Sequence, residues 1–412
     1  VAVSLPGDRI DHLEAPGWAR WIRRALEPFV GAVPDLAGAE QLATADAGLH
    51  DFGDPWHRDG LRQILDNLGE ARLNALGRMT LRTAIVRSLG QRLTLVQARK
   101  ESPAALTRPV RRPIVIAALP RTGSSLLHRL LAAHPDVASV PLWLGIRPLP
   151  VPDPAEWARG GSPRRRRAAE NTVRSVRIFE PAMFRKHDIG ADQPVECAYL
   201  MMSTFQAVQW WAVWPLYAYG DWLPVQDPAP PCRVYRETLQ LLQADRPTTG
   251  WVLKSPGHMG ALEALADELP EAVFVQLHRD PTEVLASTHS LFATAQGLMT
   301  DHLDLARAVQ VNTRALHHLA RRAVDAREAL DPARCVDVPY ARLVAEPLAV
   351  VEALVGRVGL RWDGEVRSAI AACLAVNRQH RFGTHRYALA DFGQTDAEVA
   401  PGFAEYRRRF GT

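Results

Sequence analysis

The run Ile114-Val115-Ile116-Ala117-Ala118-Leu119 breaks off at Pro120-Arg121-Thr122-Gly123-Ser124-Ser125, and a helical apolar spacing takes over at Leu126, Leu127, Leu130 and Leu131. An apolar, partly β-branched segment followed by a tight hydroxyl-rich loop and a period near 3.6 reads as strand, turn and helix start. A buried strand feeding straight into a helix is the building unit of an α/β protein with a parallel sheet. Backbone amides in such a loop and at the helix N-terminus point the same way and can cradle a phosphate. Arg121 adds a charge, and Ser124 and Ser125 add hydroxyl donors. The plainer alternative is an ordinary turn capped by Ser124, a favoured N-cap type.

The spacing separates this loop from two familiar ones. An ATPase or GTPase loop reads G-x-x-x-x-G-K-[ST], with the lysine on the β- and γ-phosphates and the hydroxyl on Mg²⁺. Here no glycine precedes Gly123 at that spacing, and no lysine precedes Ser124. A dinucleotide loop needs G-x-G-x-x-G, and only Gly123 is present. The element is an anion clamp without the hardware for a metal and a γ-phosphate.

Three further apolar runs end in polar or aromatic residues. Trp251-Val252-Leu253-Lys254 passes into Ser255-Pro256-Gly257-His258, then into a helix with Leu262, Leu265 and Leu269 on one face. Val273-Phe274-Val275-Gln276-Leu277 ends in His278-Arg279-Asp280-Pro281, with Ser287 on the helix beyond. Cys335-Val336-Asp337-Val338 ends in Pro339-Tyr340. Ligands of open parallel sheets bind at the carboxyl ends of the strands. The pattern therefore predicts that Arg121, Lys254, Arg279 and Tyr340 meet in one crevice.

At this point the chain resembles a known family. Pro120-Arg121-Thr122-Gly123-Ser124-Ser125 is similar to the 5′-phosphosulfate loop, P-[KR]-[ST]-G-[ST]-[ST], of sulfotransferases that use 3′-phosphoadenosine 5′-phosphosulfate (PAPS). His278-Arg279-Asp280-Pro281 through Ser287 resembles their 3′-phosphate site, Lys254-Ser255-Pro256 their strand-end lysine, and Pro339-Tyr340 the aromatic residue near the adenine. Order and spacing match the large bacterial branch with an N-terminal helical region. Asp51-Phe52-Gly53, Asp192-Gln193-Pro194-Val195-Glu196 and the late His385-Arg386-Tyr387 look like that branch as well. The resemblance implies a P-loop-type parallel sheet flanked by helices. It implies PAPS as cofactor, held by Arg121, Thr122, Gly123, Ser124, Ser125, Arg279, Ser287, Tyr340, His385, Arg386 and Tyr387. It also implies a small hydroxyl-bearing acceptor and chemistry without a metal.

Sulfuryl transfer, like phosphoryl transfer, leaves the protein mainly with positioning and charge stabilisation. Lys254 is the candidate for the bridging oxygen, and Arg121 for the phosphosulfate. Family members of this branch usually carry a glutamate directly after the tryptophan that follows the first helix. This chain has Trp143-Leu144 there, and leucine takes no proton. His258, four residues after Lys254, and Glu196 are the candidate bases. Glu196 also reads as a plain helix-start carboxylate, and His128, one turn into the loop helix, is a poorer candidate. The Leu144 departure keeps a second reading open, a relative that binds the nucleotide without ordinary transfer. A P-loop kinase is a third.

The chain has 412 residues, 47% of them hydrophobic, and a net charge of +4. That suits an anionic cofactor and does not call for nucleic acid. Residues 1–110 read as a helical N-terminal region, and 111–412 as the α/β core with a helical acceptor-binding insertion at about 150–246. Trp210, Trp211, Trp214, Tyr217, Tyr219 and Trp222 read either as core or as an aromatic wall for an apolar acceptor. Arg164 to Arg167 read as a solvated helix start. Cys197, Cys232, Cys335 and Cys373 have no paired spacing, so reduced thiols and a cytoplasmic location are expected. No metal-ligand cluster, membrane-span-length apolar run or signal peptide is apparent in the sequence. The His317-His318 pair points to different helix faces.

Overall fold

A computed structural model describes residues 17–412 other than 182, 185–188, 245, 247 and 378–387. Its centre is a five-stranded sheet in the order β2-β3-β1-β4-β5, with every pairing parallel. The strands are β1 Pro113–Ile116, β2 Val137–Ala138, β3 Gly250–Lys254, β4 Val273–His278 and β5 Cys335–Pro339. Four of them are the apolar runs read from the sequence. The fifth, β2, has two residues and no periodicity that a sequence pattern can register.

β1 and β3 are buried along their whole length, and β4 at every residue after Val273, which fits a parallel sheet covered on both faces. Side chains alternate between two cores, as the period of two requires. Ile114 and Ile116 join Val252, Val275, Leu343, Val351 and Ile370 on one face. Val115 and Ala117 join Leu253, Phe274 and Leu316 on the other. That second core continues without a break into Leu61, Ile64, Leu81 and Leu89 of the N-terminal helices. The helices of that part include His57–Asp66 and the long Ala75–Glu101.

The segment between β2 and β3 is largely helical among the described residues, with Pro163–Phe179, Cys197–Thr204 and Ala229–Gln243 as its longer elements. Of the arginine run, Arg165 is not solvated. It is buried and paired with Glu156, and its Nε donates to the Arg147 carbonyl at 2.8 Å. The helix Pro163–Phe179 turns one face of its basic first turn inward, so that one of the four arginines must find its partners inside. All four cysteines are free thiols. His317 is tied to the Val399 carbonyl at 3.0 Å and packs edge-on against Phe403.

Two glycines on helices make opposite demands. A Cβ at Gly60 would fall 2.2 Å from the Phe205 carbonyl oxygen, so the helix His57–Asp66 touches that backbone directly. A Cβ at Gly90, inside Ala75–Glu101, meets nothing within 4 Å. Gly60→Ala is expected to cost about 1–3 kcal/mol through overpacking, whereas Gly90→Ala is expected to stabilise by about 0.5–1 kcal/mol through lower unfolded-state entropy. Urea midpoints of the two variants check this. A Gly60→Ala midpoint equal to wild type would show that the helix does not sit on Phe205.

Candidate active site

Register sets the floor of the site. Ile116 pairs level with both Lys254 and Val275, and His278 pairs level with Pro339. Parallel strands thus bring the loop after β1, Lys254, Arg279 and Tyr340 to one edge of the sheet.

The loop after β1 uses left-handed backbone twice, at Arg121 (φ +64) and Gly123 (φ +85). At Gly123 space is tight as well, because a Cβ would lie 3.1 Å from the Tyr340 and Leu343 side chains. Thr122 is fully buried and donates to the Leu119 carbonyl at 2.8 Å, which ties the turn down from inside. The helix that follows is Ser124–Ala132. Its N-cap is Gly123, not Ser124, and no side chain caps it. The left-handed glycine starts the helix one residue too early for the Ser124 hydroxyl to serve as cap. The first amides of this helix therefore carry no side-chain cap, and their direction suits an anion.

Two arginines flank this turn. Arg121 Nε donates to Ser287 Oγ at 3.0 Å, and Arg279 Nη1 donates to the Arg121 carbonyl at 3.2 Å. The Arg279 guanidinium stands 4.8 Å from the centroid of the Tyr340 ring and also pairs with the exposed Glu283 at 2.9 Å. So the structure gathers Arg121, Ser287, Arg279 and Tyr340 around the loop Thr122 to Ser125. Glu283 was not singled out from the sequence, although its i,i+4 spacing from Arg279 is a readable signal. His385, Arg386 and Tyr387 lie outside the described residues.

On the β3 side, Lys254 is 4% exposed, and its Nζ donates to Glu196 Oε1 at 3.1 Å. Glu196 is the N-cap of Cys197–Thr204, yet its side chain caps nothing there. It is turned to the lysine instead, and its second oxygen accepts from Gln209 Nε2 at 3.2 Å. The Lys254 amide donates to Cys197 Sγ at 3.2 Å, which pins the segment after Glu196 against the strand end. Burial pushes the Cys197 thiol up to about 11, so this sulfur is a neutral structural acceptor. Neither Cys197 nor Gln209 belongs to a pattern visible in the sequence.

His258 is also buried, 5.5 Å ring to ring from Tyr235. Burial, with the Lys254 charge adding to it, pushes the imidazole down to about 3. Its Nε2 is sealed from the surface and has no hydrogen-bond partner among the described residues. His128 is held neutral in the same way, by burial first and then by Lys254. At neutral pH the Lys254 ammonium is thus faced by two uncharged imidazoles and one carboxylate.

Next to His258 lies an open cavity of ≈ 120 Å³, lined by Met201, Val208, Trp211, Leu223 and Leu319 among others. It reaches Ser255, the residue after Lys254. Of the aromatic cluster only Trp211 borders it. Trp210, Trp214, Tyr217 and Tyr219 are core residues, with Trp210 sandwiched between Phe205 and Trp214. Among the described residues, no group of three or more His, Cys, Asp or Glu side chains is placed to hold a metal. No described helix is long and apolar enough to cross a membrane.

Residues 113–364 match the model of the sulfotransferase family. Over 151 residues the chain is 28% identical to the omega-hydroxy-beta-dihydromenaquinone-9 sulfotransferases Stf3 of Mycobacterium bovis and Mycobacterium tuberculosis. That stretch spans 34% of this chain and 38% of those relatives' length. Among solved structures, sulfotransferase STF1 of Mycobacterium tuberculosis superposes with a TM-score of 0.77 at 32% identity, covering 90% of this chain and 99% of that one. Sulfotransferase STF9 of Mycobacterium avium gives 0.80 at 25% identity, covering 91% and 96%.

The depressed His258 has a measurable consequence. Its ordinary value is 6.5 and its folded value about 3, so between those limits the unfolded chain binds the extra proton. The stability this group contributes is complete above pH 6.5 and is lost as pH falls toward 3. The His258 imidazole signal is expected to stay flat from neutral pH down through pH 5 in an NMR titration, and His258→Gln to soften the acid-side loss of urea stability. An inflection of that signal near pH 6.5 would contradict the burial argument.

Proposed function

This chain belongs to the sulfotransferase family, and from that premise we propose that it moves a sulfuryl group from PAPS to the hydroxyl of a small, largely apolar acceptor. The observation that carries the proposal is the meeting of Arg121, Ser287, Arg279 and Tyr340 around an uncapped helix N-terminus. The residues present fit the cofactor: the left-handed, tightly packed turn at 123 favours glycine, and the helix it opens has amides without a side-chain cap. Thr122, Gly123, Ser124, Ser125 and Arg121 would hold the 5′ end. Arg279 and Ser287 would hold the 3′-phosphate, where a guanidinium binds two oxygens at once. Tyr340 would lie by the adenine. PAPS when bound supplies the sulfuryl group and leaves as 3′-phosphoadenosine 5′-phosphate.

Lys254 supplies a buried ammonium at the strand end, where negative charge on a leaving phosphate oxygen is best met. Glu196 takes the acceptor proton in this reading. Its carboxylate is fixed from both sides, by Lys254 and by Gln209, and keeps lone pairs for one more partner. His258 is then a neutral wall of the cavity, and its sealed Nε2 and low proton affinity argue against a role as base. The acceptor's apolar body would enter the cavity beside Trp211 and Leu319. A relative named for an omega-hydroxylated dihydromenaquinone supports an alcohol on an apolar frame. The buried Leu144 still favours one rival, a protein that keeps the nucleotide and has lost transfer. A cytoplasmic setting with reduced thiols accords with the four free cysteines.

Thermal shift tests the cofactor. 3′-Phosphoadenosine 5′-phosphate is expected to raise the melting temperature well above the effect of adenosine 5′-phosphate, and Arg279→Ala to abolish the difference, a loss of about 1.5–3 kcal/mol for a charge-assisted hydrogen bond. Equal shifts in the wild type would refute the site. Turnover is expected to survive EDTA, and a strict Mg²⁺ requirement would return the kinase reading.

Kinetics test the catalytic pair. Lys254→Ala is expected to lower kcat by about 10²-fold or more with less effect on nucleotide affinity. Glu196→Gln is expected to lower kcat more than His258→Gln does. The reverse order would hand the proton to His258. Nucleotide binding without transfer to any alcohol would favour the rival that Leu144 suggests.

A further inference from the structure

Residues 389–410 come late in the chain and reach back to the two elements that carry Arg279 and Ser287. Arg279 stands between His278, the last residue of β4, and Asp280, the N-cap of the helix Pro281–Met299. The short helix Ala404–Phe410 holds both of these neighbours. His278 is buried, and its Nε2 donates to the Asp337 carboxylate at 2.7 Å. Its Nδ1 is then the acceptor for the Tyr406 hydroxyl at 2.8 Å. Phe410 stacks on the same ring, with centroids 4.3 Å apart and planes 16° from parallel. On the other side of Arg279, Asp280 accepts from the Thr282 amide at 2.8 Å. Arg407 Nη2 lies 3.0 and 3.1 Å from the two Asp280 carboxylate oxygens and 3.2 Å from the Thr282 hydroxyl.

The body of the helix that carries Ser287 is tied separately. His289, two residues beyond Ser287, is buried, and its Nε2 donates to Gln394 Oε1 at 2.9 Å. Gln394 Nε2 donates in turn to Thr313 Oγ1 at 2.9 Å, on the helix Leu305–Ala329. Phe392 faces the His289 ring at 5.2 Å and packs with Ala286 and Val309. Ser287 is therefore fixed through Gln394 and Phe392, and the residues around Arg279 through Tyr406 and Arg407.

These ties land beside the phosphate-site side chains and not on them. Arg279 uses Nη1 on the Arg121 carbonyl, and its Nε and Nη2 meet the exposed Glu283. The base of its side chain is set by the backbone at 278–280, and its far end leans on the Tyr340 ring. A guanidinium that must offer two parallel N–H groups to two phosphate oxygens depends on its direction. Such a direction holds only where the residues behind the side chain are locked in place.

We propose that Tyr406 and Arg407 are positioning residues for the 3′-phosphate. They fix the chain on either side of Arg279, and so they set how strongly the protein distinguishes a nucleotide with that phosphate from one without it. The proposal rests on the reading of Arg279 and Ser287 as the 3′-phosphate pair. Without the two ties, Arg279 moves against a Ser287 that stays where Gln394 holds it.

Isothermal titration calorimetry with 3′-phosphoadenosine 5′-phosphate and with adenosine 5′-phosphate reads this, because the two ligands differ only in the 3′-phosphate. Tyr406→Phe and Arg407→Gln are each expected to weaken the first ligand by about fivefold or more and the second by less than about twofold. Arg407→Lys is expected to fall between Arg407→Gln and wild type. Glu405→Gln, on the same helix but paired with Arg321 at 3.0 Å, is expected to change neither affinity. On an Arg279→Ala background, Tyr406→Phe is expected to leave the ratio of the two affinities where Arg279→Ala alone puts it, since the tie acts through that side chain. Retained adenosine 5′-phosphate binding shows that the variants are folded. Weakening of both ligands alike, or of neither, would overturn the positioning role, and so would a further fall of the ratio in the double variant. A wild type that binds both ligands equally would refute the 3′-phosphate site itself, and the positioning role with it.

Discussion

A buried ammonium has to be met by an acceptor, and much of this molecule is arranged around the one at Lys254. The strand that carries it is apolar along its length, so the charge emerges at the sheet edge with almost no solvent to share. Glu196 meets it, Gln209 fixes Glu196, and the Lys254 amide holds Cys197. These contacts dock the start of the helix Cys197–Thr204 on the strand end. Once that helix is fixed, one of its faces becomes a wall of the apolar cavity. A lone buried cation would be costly, and removing either partner would strand the other. The same arithmetic keeps His258 and His128 neutral, since a second positive charge beside Lys254 is disfavoured twice over, by burial and by repulsion.

The sheet edge was legible in the sequence because parallel strands buried on both faces must be apolar runs. Val273 to Leu277 could be located by that rule, and the residue that ends each run is placed by the register rather than by long-range packing. β2 escaped the rule because two residues have no period. The alternative of a turn capped by Ser124 could not be judged from sequence for a different reason: only backbone geometry reveals that Gly123 is left-handed and takes the cap position. The aromatic cluster could not be divided by sequence into core and cavity, since Trp210 and Trp211 differ by one residue and by which side of a short helix they occupy. Arg165 read as surface because its three arginine neighbours gave it a solvated look, while its partners Glu156 and the Arg147 carbonyl come from a loop and a short helix upstream.

The N-terminal helices are more than a cover. Their apolar faces share one core with the sheet, and the helix Ala75–Glu101 sends arginines into two different surroundings. Arg92 and Arg99 tie the helix to the loop after residue 51 and to the helix Ala229–Gln243.

The turn at Arg121 also bears on how such a protein can change. A side chain at φ +64 costs about 1–2 kcal/mol relative to glycine, and that cost is carried so that a guanidinium can stand beside Ser287. Replacement by glycine relaxes the backbone and deletes the charge in one step. Selection for heat resistance alone would drift toward that replacement, and the variants that survive such a screen longest would be those with an empty clamp. Position 121 is therefore one where thermal robustness and purpose pull in opposite directions, and a library meant to improve both has to hold it fixed.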